Sequence, residues 1–558
     1  MSWQLFSEKC RFLGAVEISQ HFWGFIVLEA SFGMKIKAAL IVDDLSLSEW
    51  QKRAIEDSSE YLDIQLVLSC RNSATKKSVI KHCGYYFLNI LSLKNDMTRR
   101  VQLDSRGSEV IHFDSDYEGA WQRIPEDVCA RILDKGIKLV IKFGMSLLRI
   151  DGGLQRLDIL SYHHGDPEYY RGRPAGFYEI YENADSVGII VQKLSNKLDA
   201  GEVLVRGYSK VHHHSYKKTS RNFYLNSVVL LRKALVNYSR GEQVVLEKLG
   251  KNYRLPSNFT VFKFFCKTIF RGLARLSYGA FFEKKWNVVA LPYNDIPSLQ
   301  ELSVSAGKIP KVEKGYTFYA DPFFSADGKL IRLEALNASN GLGEIIELKA
   351  QSLDFSRVIL KGNHFSYPYS FEASGVEYLI PEVASHSAPC LLPPPFALES
   401  KKLFQGMEGE RILDGTLFEH GGRYYLFCGQ AVSGSDNLYL YVGESLEGPY
   451  TSHPCNPVVM NPGSARMGGR IFKEGGKLYR FGQNNSYGYG SSLAVNEIEV
   501  LDPEHYSEKR VANLAFQDAR GPHTIDIHGQ TMILDFYQDR FSLLAGYRRL
   551  VARLLSRG

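Results

Sequence analysis

A run of titratable residues, Tyr162-His163-His164-Gly165-Asp166-Pro167-Glu168-Tyr169-Tyr170-Arg171-Gly172, follows the apolar stretch Asp158 to Ser161. Histidine beside Gly, Asp and Pro at the exit of a buried strand makes a loop that presents acid–base groups at a sheet edge. Further on, a strand-like run ends in Leu198-Asp199-Ala200-Gly201. A carboxylate from that loop beside His163 would fix the imidazole tautomer and stabilise its charged form, an oriented general acid and base. Loop His and Asp at such spacing also serve as plain turn formers. A second group lies in the other half of the chain. Asp321, Tyr367, Asp414, Arg470 and His523 stand at the starts of similar short hairpins, and Glu334, Glu382 and Asp535 follow second strands at similar offsets. If the hairpins begin at equal depth around an axis, these residues converge on one pocket. Carboxylates with an Arg and a His suit a polyhydroxylated ligand, and glycoside cleavage needs two such acids. Asp at a strand start also caps turns.

The first group needs a sheet to hold it. From residue 36 the sequence predicts a strand (36–42), a helix (46–58) and a strand (63–69), then apolar runs at 110–113, 139–143, 158–162 and 187–194 with helical patterns at 126–134 and 222–238. Strands alternating with helices predict an α/β fold with a mostly parallel sheet covered on both faces, whose ligands bind beyond the carboxyl ends of the strands.

The block from Lys138-Leu139-Val140-Ile141-Lys142-Phe143-Gly144 through His163 and Tyr170-Arg171-Gly172 to Leu198-Asp199-Ala200-Gly201 resembles the formyltransferase domain that uses 10-formyltetrahydrofolate. The resemblance covers about residues 35–240. It implies His163 as catalytic histidine, Asp199 as catalytic aspartate, and a folate donor held beside Phe143, Gly144, Arg171 and Gly172. Where the family has Asn before the histidine, this chain has Ser161. A serine hydroxyl is a shorter, rotatable donor for the oxyanion of a formyl-transfer intermediate, and losing one such donor costs on the order of 100- to 1000-fold. Ser161, His164 or a backbone N–H must substitute, or the domain is inactive. The extra carboxylates Asp166 and Glu168 suggest a cationic acceptor such as a sugar ammonium, or a solvated turn.

The second group needs repeated hairpins. Turn glycines at 328, 375, 422, 476 and 529 are 47, 47, 54 and 53 residues apart. Periods near 50 with two evident strands per unit predict a five-bladed β-propeller over about 286–540. Ala320-Asp321-Pro322-Phe323, Ser366-Tyr367-Pro368, Ile380-Pro381-Glu382, Asp414-Gly415-Thr416 and Arg470-Ile471-Phe472 resemble the five-bladed propellers of furanosidase-type glycosidases. They resemble still more closely the propeller module accompanying plant glucosamine inositolphosphorylceramide transferases. In the glycosidases the first-blade Asp is nucleophile or base, which implies that role for Asp321, with Asp414 and Glu382 as candidates for the other acidic roles.

Composition bounds the rest. The chain has 558 residues, 44% hydrophobic and 23% charged, with a net charge of +6, and eight cysteines without a CxxC pair. That excludes a disordered chain and a disulfide miniprotein, and predicts reduced thiols in a cytoplasmic protein. His212-His213-His214 carries no neighbouring Cys or acid cluster, so no metal is expected there. Residues 1–33 read as an extension outside the fold, 34–245 as the α/β domain and 246–285 as a basic aromatic helical connector. The propeller then spans 286–540 and a basic tail 541–558. Residues 251–285 hold eight Lys and Arg against one acid, Glu283. Lys263, Lys267, Arg271 and Arg275 fall four apart beside bulky aromatics, the pattern of an in-plane membrane-surface helix over 258–282 or of a packed linker with solvated charges. The tail repeats that chemistry, so a peripheral position at the inner face of the membrane is expected. No nucleic acid is expected, because the basic segment is interleaved with apolar bulk. The combined expectation is formyl transfer from 10-formyltetrahydrofolate to the amine of a nucleotide- or lipid-linked amino sugar, with the propeller binding or processing glycan. The alternative is a glycan-directed propeller on an inactive scaffold.

Overall fold

The computed structural model describes residues 35–72, 80–92, 94–105, 107–196, 201–299, 302–383, 385 and 388–555. The expected extension 1–33 and Asp199 lie outside them. A seven-stranded sheet occupies the N-terminal part: β1 (Ile36–Val42), β2 (Leu62–Cys70), β3 (Glu109–Phe113), β4 (Leu139–Lys142), β5 (Asp158–His164), β6 (Ser186–Lys193) and β7 (Glu202–Lys210). Their order is β7-β6-β5-β4-β1-β2-β3. The first five strands run parallel, but β6 and β7 are antiparallel additions, where the sequence predicts a mostly parallel sheet. Short apolar strands arise because both faces are covered. Leu40, Ile141 and Leu160 enter one core, and Ile41, Val140 and Ile159 enter the other, as the two-residue period requires.

The helices are α1 (Glu49–Asp57), α2 (Cys83–Ser92), α3 (Glu126–Asp134), α4 (Phe177–Glu182), α5 (Tyr216–Ser227), α6 (Leu230–Arg240), α7 (Asn258–Phe281) and α8 (Ala545–Leu555). The expected helix 46–58 starts three residues late because Ser48 and Gln51 close a capping box in front of Glu49. The expected helix 222–238 is two helices. Ser227 Oγ donates back to Phe223 O at 2.8 Å, a bond that bends helices, and the valines 228 and 229 follow.

From residue 282 the chain forms successive antiparallel sheets. Each expected hairpin is present: 316–324 with 330–337, 365–373 with 376–383, 412–420 with 423–430, 472–474 with 477–484, and 525–528 with 531–541. All five turn glycines adopt a φ between 57° and 79°, the left-handed region that only glycine enters cheaply, which is why the repeat is visible at all. The strand Phe282–Pro292 joins the last sheet, pairing along its whole length with Thr531–Phe541. The β part therefore begins at the end of α7 with no intervening linker.

The two parts share a buried polar seam. Asp436, from the third sheet, accepts Asn222 Nδ2 at 2.7 Å, Asn226 Nδ2 at 2.8 Å, and Ser209 Oγ and the Lys210 amide at 3.1 Å each. Lys233 of α6 donates to the carbonyls of Cys455 and Pro457 at 3.0 and 2.6 Å. Residues 246–257 are no free linker either, since Lys251–Tyr253 pairs with Tyr170–Gly172.

Candidate functional sites

At the first site, β4 ends at Lys142, the register partner of Ser161, so His163 projects past the last residue of β4 at the carboxyl edge of the parallel strands. Ser161 and His163 share the face of Ile159, and Lys142 stands on the same side one strand over. His163 Nε2 lies 3.3 Å from Tyr170 O, and a Cβ on Gly165 would come within 2.9 Å of that nitrogen. The loop Phe143-Gly144-Met145 closes against the end of β1: Met145 N donates to Asp43 Oδ1 at 2.6 Å, and a Cβ on Gly144 would meet the Asp43 amide at 2.5 Å. A recess of about 80 Å³ lies there, lined by Asp43, Ser46, Gln51, Arg100 and Phe143 among others.

Several expectations are corrected here. His164 cannot serve an oxyanion, because the strand alternation turns it to the opposite face. There it packs edge-on to Trp50, bonds Ser227 Oγ at 2.9 Å, and burial holds it neutral with a pKa of about 3. Arg171 donates through Nε to Gly250 O at 2.8 Å, and Gly172 lies so close to Tyr253 that a Cβ would sit 2.1 Å from its carbonyl oxygen. Both belong to the seam with 251–253. Asp166 and Glu168 form neither a cation site nor a solvated turn. Tyr208 OH donates to Asp166 at 2.9 Å, and Arg206 lies 3.0 Å from Glu168. His212 to His214 precede α5, whose N-cap is Ser215.

At the second site, Asp321, Tyr367 and Asp414 sit at matching bulges of the first three sheets, with φ of 50°, 46° and 50°. Non-glycine residues held left-handed at equivalent positions mark a site where packing overrides local preference. Each bulge amide donates to a carboxylate of the neighbouring sheet: Asp321 N to Asp535 at 3.2 Å, Tyr367 N to Asp321 at 3.3 Å, Asp414 N to Glu382 at 3.1 Å. His523 bridges Asp321 (Nε2 to Oδ1, 3.2 Å) and Asp535 (Nδ1 to Oδ2, 2.6 Å), and Thr524 Oγ1 donates to Asp321 at 2.8 Å. Burial alone would push the His523 pKa down, yet the carboxylates on either side raise it to about 10. Against burial, the same imidazolium holds Asp321 below its ordinary value. Glu334 and Glu382 go the other way. Burial and the charge of Asp321 raise Glu334, and burial and the charge of Asp414 raise Glu382 to about 8. Asp321, His523 and Asp535 bring one ligand atom each within 4.8 Å. With a carboxylate against each ring nitrogen, the trio is arranged as an imidazolium clamp.

Arg470 is not in this cluster. It stands between the strands Arg466–Met467 and Phe472–Glu474, pairs with Asp526 at 3.0 Å and donates to Ser370 O, lining a cavity of about 250 Å³ with Phe324 and His528. The arginine of this cluster is Arg466, which forks onto Asp414 and lies 3.8 Å from Glu382. Gln483 Nε2 also donates to Asp414, at 2.9 Å. Tyr489 and Trp286 pack on His523, with ring centroids 5.1 and 4.4 Å away. Arg466, Gln483, Tyr489 and Trp286 lie outside the hairpin starts, so the repeat alone does not reveal them.

The His523 clamp carries a pH signature. A pKa of about 10 folded against 6.5 unfolded means that its contribution is complete below pH 6.5 and lost as pH rises through 10. Urea unfolding of the full chain should therefore show stability falling across that window. Glu382 adds a fall ending near pH 8. In His523→Ala the decline above pH 8 should flatten, and an unchanged slope would refute the clamp.

Comparison with known proteins bears on this second site. A family model described as glucosamine inositolphosphorylceramide transferase 1, N-terminal, matches residues 304–529. That span holds Asp321, Glu382, Asp414, Arg466 and His523. The transferase of that name from Oryza sativa subsp. japonica is 31% identical over 226 residues, 37% of this chain and 30% of the relative. The one from Arabidopsis thaliana is 28% identical over 207 residues, 35% and 27% respectively. The chain thus spans about 30% of the length of these relatives. Among solved structures, glycinamide ribonucleotide transformylase 1 from Symbiobacterium toebii covers 39% of this chain and 95% of its own, at 15% identity and a TM-score of 0.27. A sugar N-formyltransferase from Shewanella sp FDAARGOS_354 covers 39% and 76%, at 12% identity and 0.26. An exo-beta-1,3-galactanase from Phanerochaete chrysosporium covers 34% and 45%, at 12% identity and 0.25. Likenesses at this level leave the function to be read from the residues.

Proposed function

We propose that this chain is a carbohydrate-directed transferase. In this reading the five sheets are the blades of a five-bladed propeller whose axial pocket holds a saccharide. The α/β part transfers a formyl group to a sugar amine, on a nucleotide- or lipid-linked acceptor. The observation that carries it is the convergence of Asp321, Glu382, Asp414, Arg466 and His523, five charged or proton-bearing groups on one axis. Neighbouring hydroxyls meet alternating donors and acceptors there, and Trp286 and Tyr489 offer apolar walls beside them. A 31% identity over 226 residues to a protein named glucosamine inositolphosphorylceramide transferase 1 supports a sugar as ligand. Asp321 already receives three donors, which suits holding a ligand better than attacking one. Glycoside cleavage is the second reading, favoured by a depressed Asp321 beside a raised Glu382, the split that divides base from acid.

For the transfer step, 10-formyltetrahydrofolate would supply the formyl carbon. The residues at the carboxyl edge fit this chemistry: His163 is placed to take the proton that the amine loses as its nitrogen bonds the formyl carbon, and to return it to the leaving nitrogen as that C–N bond breaks. In this reading Ser161 and Lys142, paired in register, would supply donors to the developing oxyanion, with the Lys142 ammonium, which also donates to Ser146 O at 3.3 Å, making up for the missing asparagine amide. Tetrahydrofolate release from 10-formyltetrahydrofolate should depend on an amino-sugar acceptor in a panel of nucleotide-linked amino sugars. In calorimetric titrations Arg466→Ala should weaken saccharide binding roughly tenfold to a hundredfold, because it leaves the buried Asp414 carboxylate without its charged partner. Acceptor-independent turnover, or saccharide binding indifferent to Arg466, would sink the respective half of the reading.

A further inference from the structure

Helix α7 is turned against the expectation from its charges. Lys267 Nζ donates to Tyr181 O at 2.9 Å and Arg271 Nη1 to Ile180 O at 2.8 Å, so these cations cap the carboxyl end of α4. On the same inward side Phe264 stacks on Phe177 with centroids 4.4 Å apart, and Val261 is buried. The opposite side carries Phe259, Phe262, Ile269, Phe270, Leu273 and Leu276, each at least 60% exposed. Along one edge of that side, 259, 262, 266, 269, 273 and 276 follow a strict alternation of three and four.

The patch continues into α8. Arg549 donates to Gly279 O and Phe282 O at the end of α7, and Gly546 lies against Ala280, which fixes the two helices together. Phe541, Leu543, Leu544, Tyr547 and Leu550 are exposed beside that junction. An apolar surface of this extent on a soluble chain marks an interaction site.

We infer that the outward face of α7 and α8 docks on the surface of an anionic lipid bilayer, with both helices in the plane of the interface. Three observations choose the occupant. Among the described residues no helix is long and apolar enough to cross a membrane. Residues 258–285 carry six Lys and Arg with Glu283 as their one acid; Lys267 and Arg271 face α4, while Lys263, Arg275 and Lys285 are exposed, and 541–558 carry four Arg and no acid. Glu283 is itself paired with Arg548 at 3.0 Å. A coiled coil with a second copy would need opposite charges flanking its seam, and two such surfaces repel each other. Phospholipid headgroups supply the missing negative charge, and the phenylalanines supply the buried area.

The test uses the full chain with phosphatidylcholine vesicles, with and without phosphatidylglycerol, read by co-sedimentation. Partition should be strong only with phosphatidylglycerol and should fall more than about tenfold in Phe262→Ser/Leu273→Ser/Leu276→Ser and in Lys263→Glu. The exposed positions should leave the melting temperature unchanged, which separates lost docking from lost folding. Equal partition with both vesicle types, or binding untouched by the triple variant, would overturn the inference. So would a lipid-free dimer that the triple variant dissolves while vesicles remain unbound, because the occupant would then be a second copy.

Discussion

Asp436→Ala should lower the unfolding free energy of the full chain by about 3–5 kcal/mol, the cost of breaking a buried charged network from one side. The carboxylate gathers four donors from the other part of the molecule at 2.7 to 3.1 Å. Removing it leaves Asn222, Asn226, Ser209 and the Lys210 amide facing apolar surroundings with water excluded, and each stranded donor costs about 1–3 kcal/mol. Burial pushes the Asp436 pKa upward, so the pair of parts is held by an acid that water would stabilise better than the seam does. Urea unfolding followed by tryptophan fluorescence and by limited proteolysis reads the effect. Asp436→Asn, which keeps one acceptor oxygen, should lose less than the alanine variant. A loss below about 1 kcal/mol in the alanine variant would mean that the seam contributes little.

Under the proposed function, His163→Ala should reduce formyl transfer on the order of 10²- to 10⁴-fold while leaving saccharide binding at the Asp321–Asp414 cluster unchanged. The ring stands beyond the end of β4 with its Nε2 toward Tyr170 O, at the edge rather than in the core, so its loss creates no large cavity. His164→Ala is the internal contrast. It removes a buried ring packed among Trp50, Phe223 and Tyr224, so its effect should fall on stability first. Turnover that survives in His163→Ala would remove the general base from the proposed step.

The parallel strands are legible in the sequence because burial on both faces makes them continuous apolar runs, and the hairpins are legible because their glycines are held at positive φ. What stays hidden has a common physical cause. Arg470 lies in the break between the strands Arg466–Met467 and Phe472–Glu474, where the two-residue alternation is interrupted and the sequence does not say which way a side chain points. Arg466 comes from the two-residue strand Arg466–Met467, too short to carry a pattern. For α7 the period is clear, but a period does not say which side faces the protein, and the cations turned inward because the carbonyl end of α4 awaited them. His164 is adjacent to His163 and differs from it only in the face of the strand it occupies.

The pairing of Phe282–Pro292 with Thr531–Phe541 also governs how the molecule comes into being. The ribosome delivers one partner of this ladder about 240 residues before the other, so the ladder stays unpaired through almost all of the β part's synthesis. Loop-closure entropy must be met before those eleven register pairs reward it, which makes their formation a late and slow event. Asp535 lies on the late strand and His523 just before it, so the imidazolium clamp is assembled by the same event that completes the ladder. A nascent chain that stops short of this point leaves an unpaired strand edge beside α7, an invitation to aggregation, and has no clamp. The His523 clamp is therefore a property of finished molecules alone.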